Sequence, residues 1–390
     1  MHVAESKLQQ SLPIITKKFN KHYVPKQREK MSKVYNFSAG PAVLNEQVLK
    51  NAAAAAIEFA GSGMSLMEMS HRSKPVVAMF DEAEANVREL LEVPAEFKIL
   101  FLQGGASLQF HTAPLNLLKD GDKVDYADTG SWSAKAIKEA KALANVNVCC
   151  SSKESTYNHI PETSNQSEDA VYLHFTSNNT IYGTQFKDWP TPVNKDAYLV
   201  SDMSSDIFSR PIDWSKFGLV YAGAQKNIGP SGLTVVIVRE SLLGQTGRAI
   251  PTILNYDTHI QAESMFHTPP VFGVHVANET FKWLKSIGGV KAIQVVNERK
   301  ASNLYAEIDR NSLFSCPTVN KDRSSMNVVF VLSDAELDAE FLAFAKERNL
   351  ETLKGHRSIG GFRASIYNAM PEAGVDALIA AMQEFEKAKA

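Results

Sequence analysis

A lysine and an acid carry the most chemistry in this chain. Lys226 stands in GAQKNIGPSG, between Gly223 and Gly229, just after an apolar run at 219–222. Asp202 closes an earlier run in AYLVSD. An ammonium at the mouth of a buried strand loses water, which favours the neutral amine that attack on a carbonyl requires. An acid at the end of a nearby strand can pair with the protonated nitrogen of a bound pyridine ring and keep that ring an electron sink. Each residue also has an ordinary reading. A lysine after a strand is commonly solvated, and an aspartate there commonly caps a helix.

Both residues depend on short apolar runs at 198–200, 219–222 and 233–238, bounded by Gly, Pro and Ser or rich in β-branched residues. Such runs read as strands buried on both faces. Upstream, KILFLQGGASLQF joins a strand at 99–102 to a glycine turn and a helical stretch. That order offers free N–H groups and a positive dipole end to an anion, with the amides of Ala106 and Ser107 as the cradle. The letters fit neither GxGxxG nor GxxxxGK[ST], so the dinucleotide and P-loop readings fail. KGHRSIGGFRAS places His356, Arg357 and Arg363 within eight residues, beside Gly360-Gly361. Clustered cationic donors of this kind suit a carboxylate or a phosphate, and an Arg fork grips a carboxylate by two parallel bonds. His71 and Arg72 form a second such pair in SLMEMSHRSK, ahead of an expected helix at 76–91. Asn45 can cap a helix that begins in LNEQVLKNAAAAA, the segment 281–310 reads as a long helix after a break at Gly288-Gly289, and SSMNVVFVLSD and GFRASIYNAM read as strands.

Strands alternating with helices through 45–290 predict a three-layer α/β/α domain with a mostly parallel sheet. Residues 34–44 and 291–390 are expected to form a smaller α/β domain that closes over it. The 390 residues suffice for two domains. A net charge of −2 gives no electrostatic case for nucleic acid or a membrane surface. No apolar run approaches the roughly 20 residues of a membrane span. Cys149, Cys150 and Cys316 form no CxxC and no even-numbered framework, which points to a reducing compartment, and no metal cluster is expected. Residues 1–33 carry eight Lys/Arg against two Asp/Glu and lack a secretory apolar core. They are expected to be a disordered basic tail, with Met31 a plausible start and the cytoplasm the expected location.

GAQKNIGPSGLTVVIVRE, with DMSSDIFSRPID upstream, resembles the cofactor-lysine segment of the phosphoserine aminotransferases, which are class V, fold-type I enzymes of pyridoxal phosphate. The resemblance covers about residues 34–388. It implies pyridoxal 5′-phosphate on Lys226, with Asp202 at the ring nitrogen. It implies that Trp132, in TGSWS, stacks on the ring, that Thr180 bonds the 3′-oxygen, and that Gln225, Ala106 and Ser107 complete the cofactor set. His267 and Thr268 would reach the phosphate of the other subunit; many relatives carry Asn-Thr there, so His267 departs from the pattern. Ala106 and Ser107 depart too, where many members have Gly or Cys. For substrate, the resemblance implies Ser38 and Ala39 in YNFSAGPA, Arg363 on the α-carboxylate, His356 and Arg357 on the phosphate side, and His71 and Arg72 lent across a homodimer interface.

The implied reaction interconverts O-phospho-L-serine and 2-oxoglutarate with 3-phosphohydroxypyruvate and L-glutamate, in serine biosynthesis. The family also acts on 4-phosphohydroxy-L-threonine in vitamin B6 synthesis in some organisms. Two other class V chemistries compete, a transaminase of unphosphorylated substrates and a cysteine desulfurase. The basic set of His71, Arg72, His356 and Arg357 disfavours the first, and the lack of a cysteine in a Gly-rich loop disfavours the second. A cofactor-binding protein without turnover is disfavoured by the intact Lys226–Asp202 pair.

Overall fold

The computed structural model describes residues 34–389; the expected basic tail lies outside them. Its central sheet has seven strands, in the order Phe97–Leu102, Thr234–Arg239, Phe217–Gly223, Tyr198–Asp202, Tyr172–Thr176, Lys123–Asp128 and Asn145–Ser151. Thr234–Arg239 runs antiparallel to both its neighbours, and the other adjacent pairs are parallel. The mostly parallel sheet expected from the runs at 198–200, 219–222 and 233–238 is therefore present.

Side-chain alternation explains why these runs are apolar throughout. Val235 and Ile237 enter one hydrophobic cluster with Val76, Phe80, Val274 and Phe281. Val236 and Val238, their chain neighbours, enter another with Phe110 and Ile137. Successive residues face opposite sides of a sheet, so a strand with helices on both sides has no face left for water. The helices Lys74–Leu90 and Val271–Ser286 supply the first layer, and Gly105–Leu117 and Ser131–Ala140 the second. At about 1.5–3 kcal/mol for each Val, Leu, Ile or Phe buried, these two clusters dominate the favourable side of folding.

A third cluster gathers Phe37, Leu304, Ile308, Phe330, Phe341, Phe362, Leu378 and Phe385. It lies around an antiparallel sheet of Phe314–Ser315, Asn327–Leu332 and Phe362–Ser365. Tyr35–Asn36 pairs with Leu350–Glu351, which ties the first described residues to this C-terminal core.

Local signals explain several boundaries. Asn45 caps Glu46–Ile57, its Oδ1 accepting from Gln47 N at 2.8 Å. The helix expected at 76–91 starts earlier, at Lys74, because Pro75 fits the first turn, where no intrahelical N–H bond is required. The break at Gly288-Gly289 separates Val271–Ser286 from Gly289–Arg310, with both glycines in the left-handed region.

Candidate active site

Asp202 is the last residue of its strand, buried, and aligned with Tyr221 on the adjacent strand. Its Oδ1 accepts from Ser204 N at 2.9 Å and from Ser204 Oγ at 2.6 Å. Among the described residues no donor is bonded to Oδ2, which leaves one carboxylate oxygen for a ligand. Burial pushes the Asp202 carboxyl above its ordinary value, while the charge of Lys226 and the bonds from Ser204 pull the other way. Ser204 Oγ also accepts from Gly223 N at 3.0 Å, so one hydroxyl joins the acid to the end of the lysine's strand.

Lys226 follows that strand in a tight turn. Its N–H and those of Ile228 and Gly229 all point at the carbonyl of Ala224. Gly40 packs on this turn: a Cβ at Gly40 would stand 3.7 Å from Lys226 Cγ. Ala42 N donates to Gln225 O at 2.8 Å. Burial lowers the Lys226 ammonium, and the nearby Arg363 adds to that, against the opposing pull of Asp202. The shift is in the direction that a strand-mouth position predicts.

Trp132 lies in the first turn of Ser131–Ala140, its ring centroid 5.8 Å from Lys226 Nζ. Its Nε1 donates to Thr180 Oγ1 at 3.2 Å, and Arg363 Nη1 donates to Thr180 O at 3.1 Å. Indole, threonine and guanidinium therefore form one wall beside the lysine. Tyr367 OH donates to Ala39 O at 2.8 Å and fastens the 38–42 segment to the same wall; Ser38 Oγ accepts from Gly40 N. His356 stands in a loop with Arg357. Burial lowers its imidazole, and so do the charges of Arg363, Arg357 and Lys135. Lys135, whose Nζ lies 4.2 Å from the Trp132 ring centroid, belongs to this cationic group and was not singled out in the sequence.

The strand–glycine–helix order expected from residue 99 onward is present, Phe97–Leu102 leading through Gly104 into Gly105–Leu117. Gly104 has φ +92°, and a Cβ there would meet Leu108 side-chain atoms at 2.5–2.6 Å, so only glycine fits. Gly105 N is spent on Thr234 Oγ1 at 2.8 Å, and Leu108 N on Gly104 O. The amides of Ala106 and Ser107, between them, have no partner among the described residues. His267 reaches the same end of the helix: with Gln103, Gly104 and His259 it lines a cavity of about 400 Å³. Its Nδ1 lies 3.1 Å from Thr268 O, and Thr268 itself is exposed.

The structure thus brings Lys226, Asp202, Gln225, Trp132, Thr180, Ala39 and Arg363 into one group, and His356 and Arg357 join it through charge alone. His71 and Arg72 are not bonded to any of these. His71 Nε2 is buried and unpartnered, and Arg72 is exposed. Sequence reasoning missed Ser204 and Tyr367. The Ser204 signal was legible, since a serine two residues after a strand-end aspartate is placed to bond its carboxylate. Tyr367 bonds across 328 positions of sequence and left no local trace.

The residues fit a pyridine cofactor bearing an anion: an amine of lowered basicity, an acid with one open oxygen, an indole beside them and two unspent amides at a helix start. Similarity to known proteins leads the same way. Residues 34–378 match the family model described as Aminotransferase class-V. The chain therefore belongs to the class-V aminotransferase family. A phosphoserine aminotransferase of Parabacteroides distasonis is 52% identical over 91% of this chain and 99% of its own length. Phosphoserine aminotransferase 1, chloroplastic, of Arabidopsis thaliana is 49% identical over 91% of this chain and 83% of its own. The solved phosphoserine aminotransferase of Bacillus circulans subsp. alkalophilus superposes with a TM-score of 0.88 at 45% identity, covering 92% of this chain and 99% of that one. A pyridoxal phosphate-bound phosphoserine aminotransferase of Trichomonas vaginalis gives 0.85 at 40% identity, covering 90% and 100%.

Proposed function

We propose that this chain is a pyridoxal phosphate-dependent transaminase of O-phospho-L-serine and 2-oxoglutarate, yielding 3-phosphohydroxypyruvate and L-glutamate. The observation that carries the reading is the single linked group of Lys226, Asp202, Trp132, Thr180 and Arg363, with the unspent amides of Ala106 and Ser107. Pyridoxal phosphate held there supplies an electron sink for the charge left when the substrate Cα loses its proton. Asp202, through its open Oδ2, and the unspent amides of Ala106 and Ser107 would hold the cofactor's ring nitrogen and phosphate, with Trp132 and Thr180 as further holding residues. Arg363 grips the substrate carboxylate and so turns the Cα–H toward Lys226. The Lys226 amine, its basicity lowered first by burial, would take that Cα proton and hold it on Nζ. His356 and Arg357 receive the distal phosphate of phosphoserine or the distal carboxylate of glutamate.

The two clusters on the faces of the seven-stranded sheet, and the third around the C-terminal sheet, support a division into residues 45–290 and residues 34–44 with 291–390. His71 and Arg72, unbonded to the cluster of their own chain, support a homodimer in which each chain lends them to its partner's site. Three free cysteines, and no helix among the described residues long and apolar enough to cross a membrane, support a cytoplasmic location. A coupled assay with phosphoserine and 2-oxoglutarate tests the reaction, and the absence of glutamate formation rejects it. Mixed chains test the sharing. Inactive Lys226→Ala and inactive Arg72→Ala chains, dissociated and reassociated together, regain activity in the hybrid; mixtures that stay inactive reject a shared site.

A further inference from the structure

The residue after Lys226 spends its whole side chain inside the protein. Asn227 Nδ2 donates to the carbonyls of Ile207 at 3.1 Å and Ser205 at 3.4 Å, and its Oδ1 accepts from Asn368 N at 3.0 Å. Asn368 Nδ2 donates to Phe208 O at 3.0 Å, and its Oδ1 accepts from Asn297 Nδ2 at 2.8 Å. All three asparagines are buried. Three segments meet at this junction: the turn of Lys226, the loop that follows Asp202, and the stretch that follows Arg363. Phe208 holds φ +61°, a left-handed conformation costly for a bulky residue, and its carbonyl is held by Asn368. Behind the same stretch, the buried Lys300 Nζ donates to the carbonyls of Ile366, Tyr367 and Met370 at 2.9–3.0 Å.

Apolar packing would join these segments without fixing which atoms meet. The amides of Asn227 and Asn368, bonded through both oxygen and nitrogen, fix them, because any slip strands a donor or acceptor out of reach of water, whereas Asn297 at the far end already leaves its Oδ1 unpartnered. We propose that Asn227 is a positioning residue: its two-sided amide sets the register among Lys226, Asp202 and Arg363, and so aims the Lys226 amine at the substrate Cα. The inference rests on the reading of Lys226 as the reactive amine.

The test compares Asn227→Ala with Asn297→Ala, at the remote end of the same network, in the full-length holoenzyme. Each variant deletes one buried amide, so each loses stability. Asn227→Ala also lowers kcat per bound cofactor on the order of a hundredfold, with phosphoserine and with glutamate alike, as small misplacements of reacting groups do. Asn297→Ala keeps the wild-type kcat. A second readout needs no turnover: the rate at which cyanate carbamylates Lys226 in the cofactor-free full-length chain, followed against pH by peptide mass. In Asn227→Ala the midpoint of that profile rises toward the ordinary lysine value, because a loosened turn admits water; in Asn297→Ala it stays in place. Should Asn227→Ala fail to fold, Asn368→Ala, which frees the Phe208 carbonyl, shows the same two changes at smaller amplitude. Equal kcat in the Asn227→Ala or Asn368→Ala variant and in Asn297→Ala, with an unmoved midpoint, overturns the positioning role. Failure of borohydride to fix cofactor on Lys226 of the wild type overturns instead the reading of the site on which it rests.

Discussion

The floor of the cleft and its rim are built by opposite means. On the floor, Asp202, Ser204, Gly223 and Asn227 are buried, and each is bonded to a neighbouring segment. The rim is a loop in which Arg357 is exposed and makes no hydrogen bond or ion pair among the described residues. Gly360 and Gly361 turn that loop at φ +77° and +53°. A Cβ at Gly361 would come within 2.7 Å of Phe330 O, so the rim needs glycine where the floor needs amides and hydroxyls. The contrast follows from the chemistry. Proton transfer at Cα is the same for both amino acids and calls for fixed atoms, whereas a distal phosphate and a distal carboxylate differ in size and charge. A rim whose Arg357 has no bonded partner among the described residues can meet either.

Substitutions on the floor break the comparison most severely. Lys226→Ala abolishes transamination, and borohydride then leaves no cofactor on the protein; covalent retention in that variant removes Lys226 from its role. Asp202→Asn comes next. Its shape keeps the Ser204 bonds, and loss of a buried charge relieves the desolvation that raises Asp202, so the melting temperature holds or climbs. Turnover nevertheless falls by roughly two to three orders of magnitude, the scale on which one lost preorganised electrostatic partner is felt. Near wild-type turnover in Asp202→Asn would show the acid to be structural.

The floor was the more legible half in the sequence, for a physical reason. Lys226 and Asp202 end β-branched or glycine-bounded runs, and such runs announce where a parallel sheet delivers its side chains. The glycine turn at 103–105 announced the unpaired helix-start amides of Ala106 and Ser107 in the same way. The bonds that hold the floor were silent: Asn227 meets Asn368 across 141 positions, and no local pattern encodes that pairing. His71 and Arg72 were legible as a cationic pair, yet nothing in one chain's contacts joins them to the lysine. The rim was legible only as composition, three cations beside two glycines, because its geometry comes from loop bonds such as Gly355 N to Gly361 O at 2.8 Å.

Selectivity is where the rim should separate from the wall below it. Arg363 is anchored on Thr180 O, and in the proposed function it takes the α-carboxylate that phosphoserine and glutamate share. Arg363→Ala therefore raises KM for both by a similar factor, between about tenfold and a hundredfold for one charge-assisted contact of about 1.5–3 kcal/mol. In the same proposal His356 and Arg357 meet the end where the substrates differ, and a phosphate carries close to two charges there against one on glutamate. His356→Ala and Arg357→Ala cost less, and they cost phosphoserine more than glutamate. Acidity gives the finer mark. Because burial and three neighbouring cations hold the His356 imidazole below its ordinary value, it is neutral at pH 7 and gains its charge only as the pH falls through that lowered value. Arg357→Ala removes one of those cations, so His356 titrates at higher pH, and the shift is readable in the imidazole proton resonances of the holoenzyme. Equal losses for both amino donors in His356→Ala and Arg363→Ala, with His356 unmoved in Arg357→Ala, would erase the distinction between wall and rim.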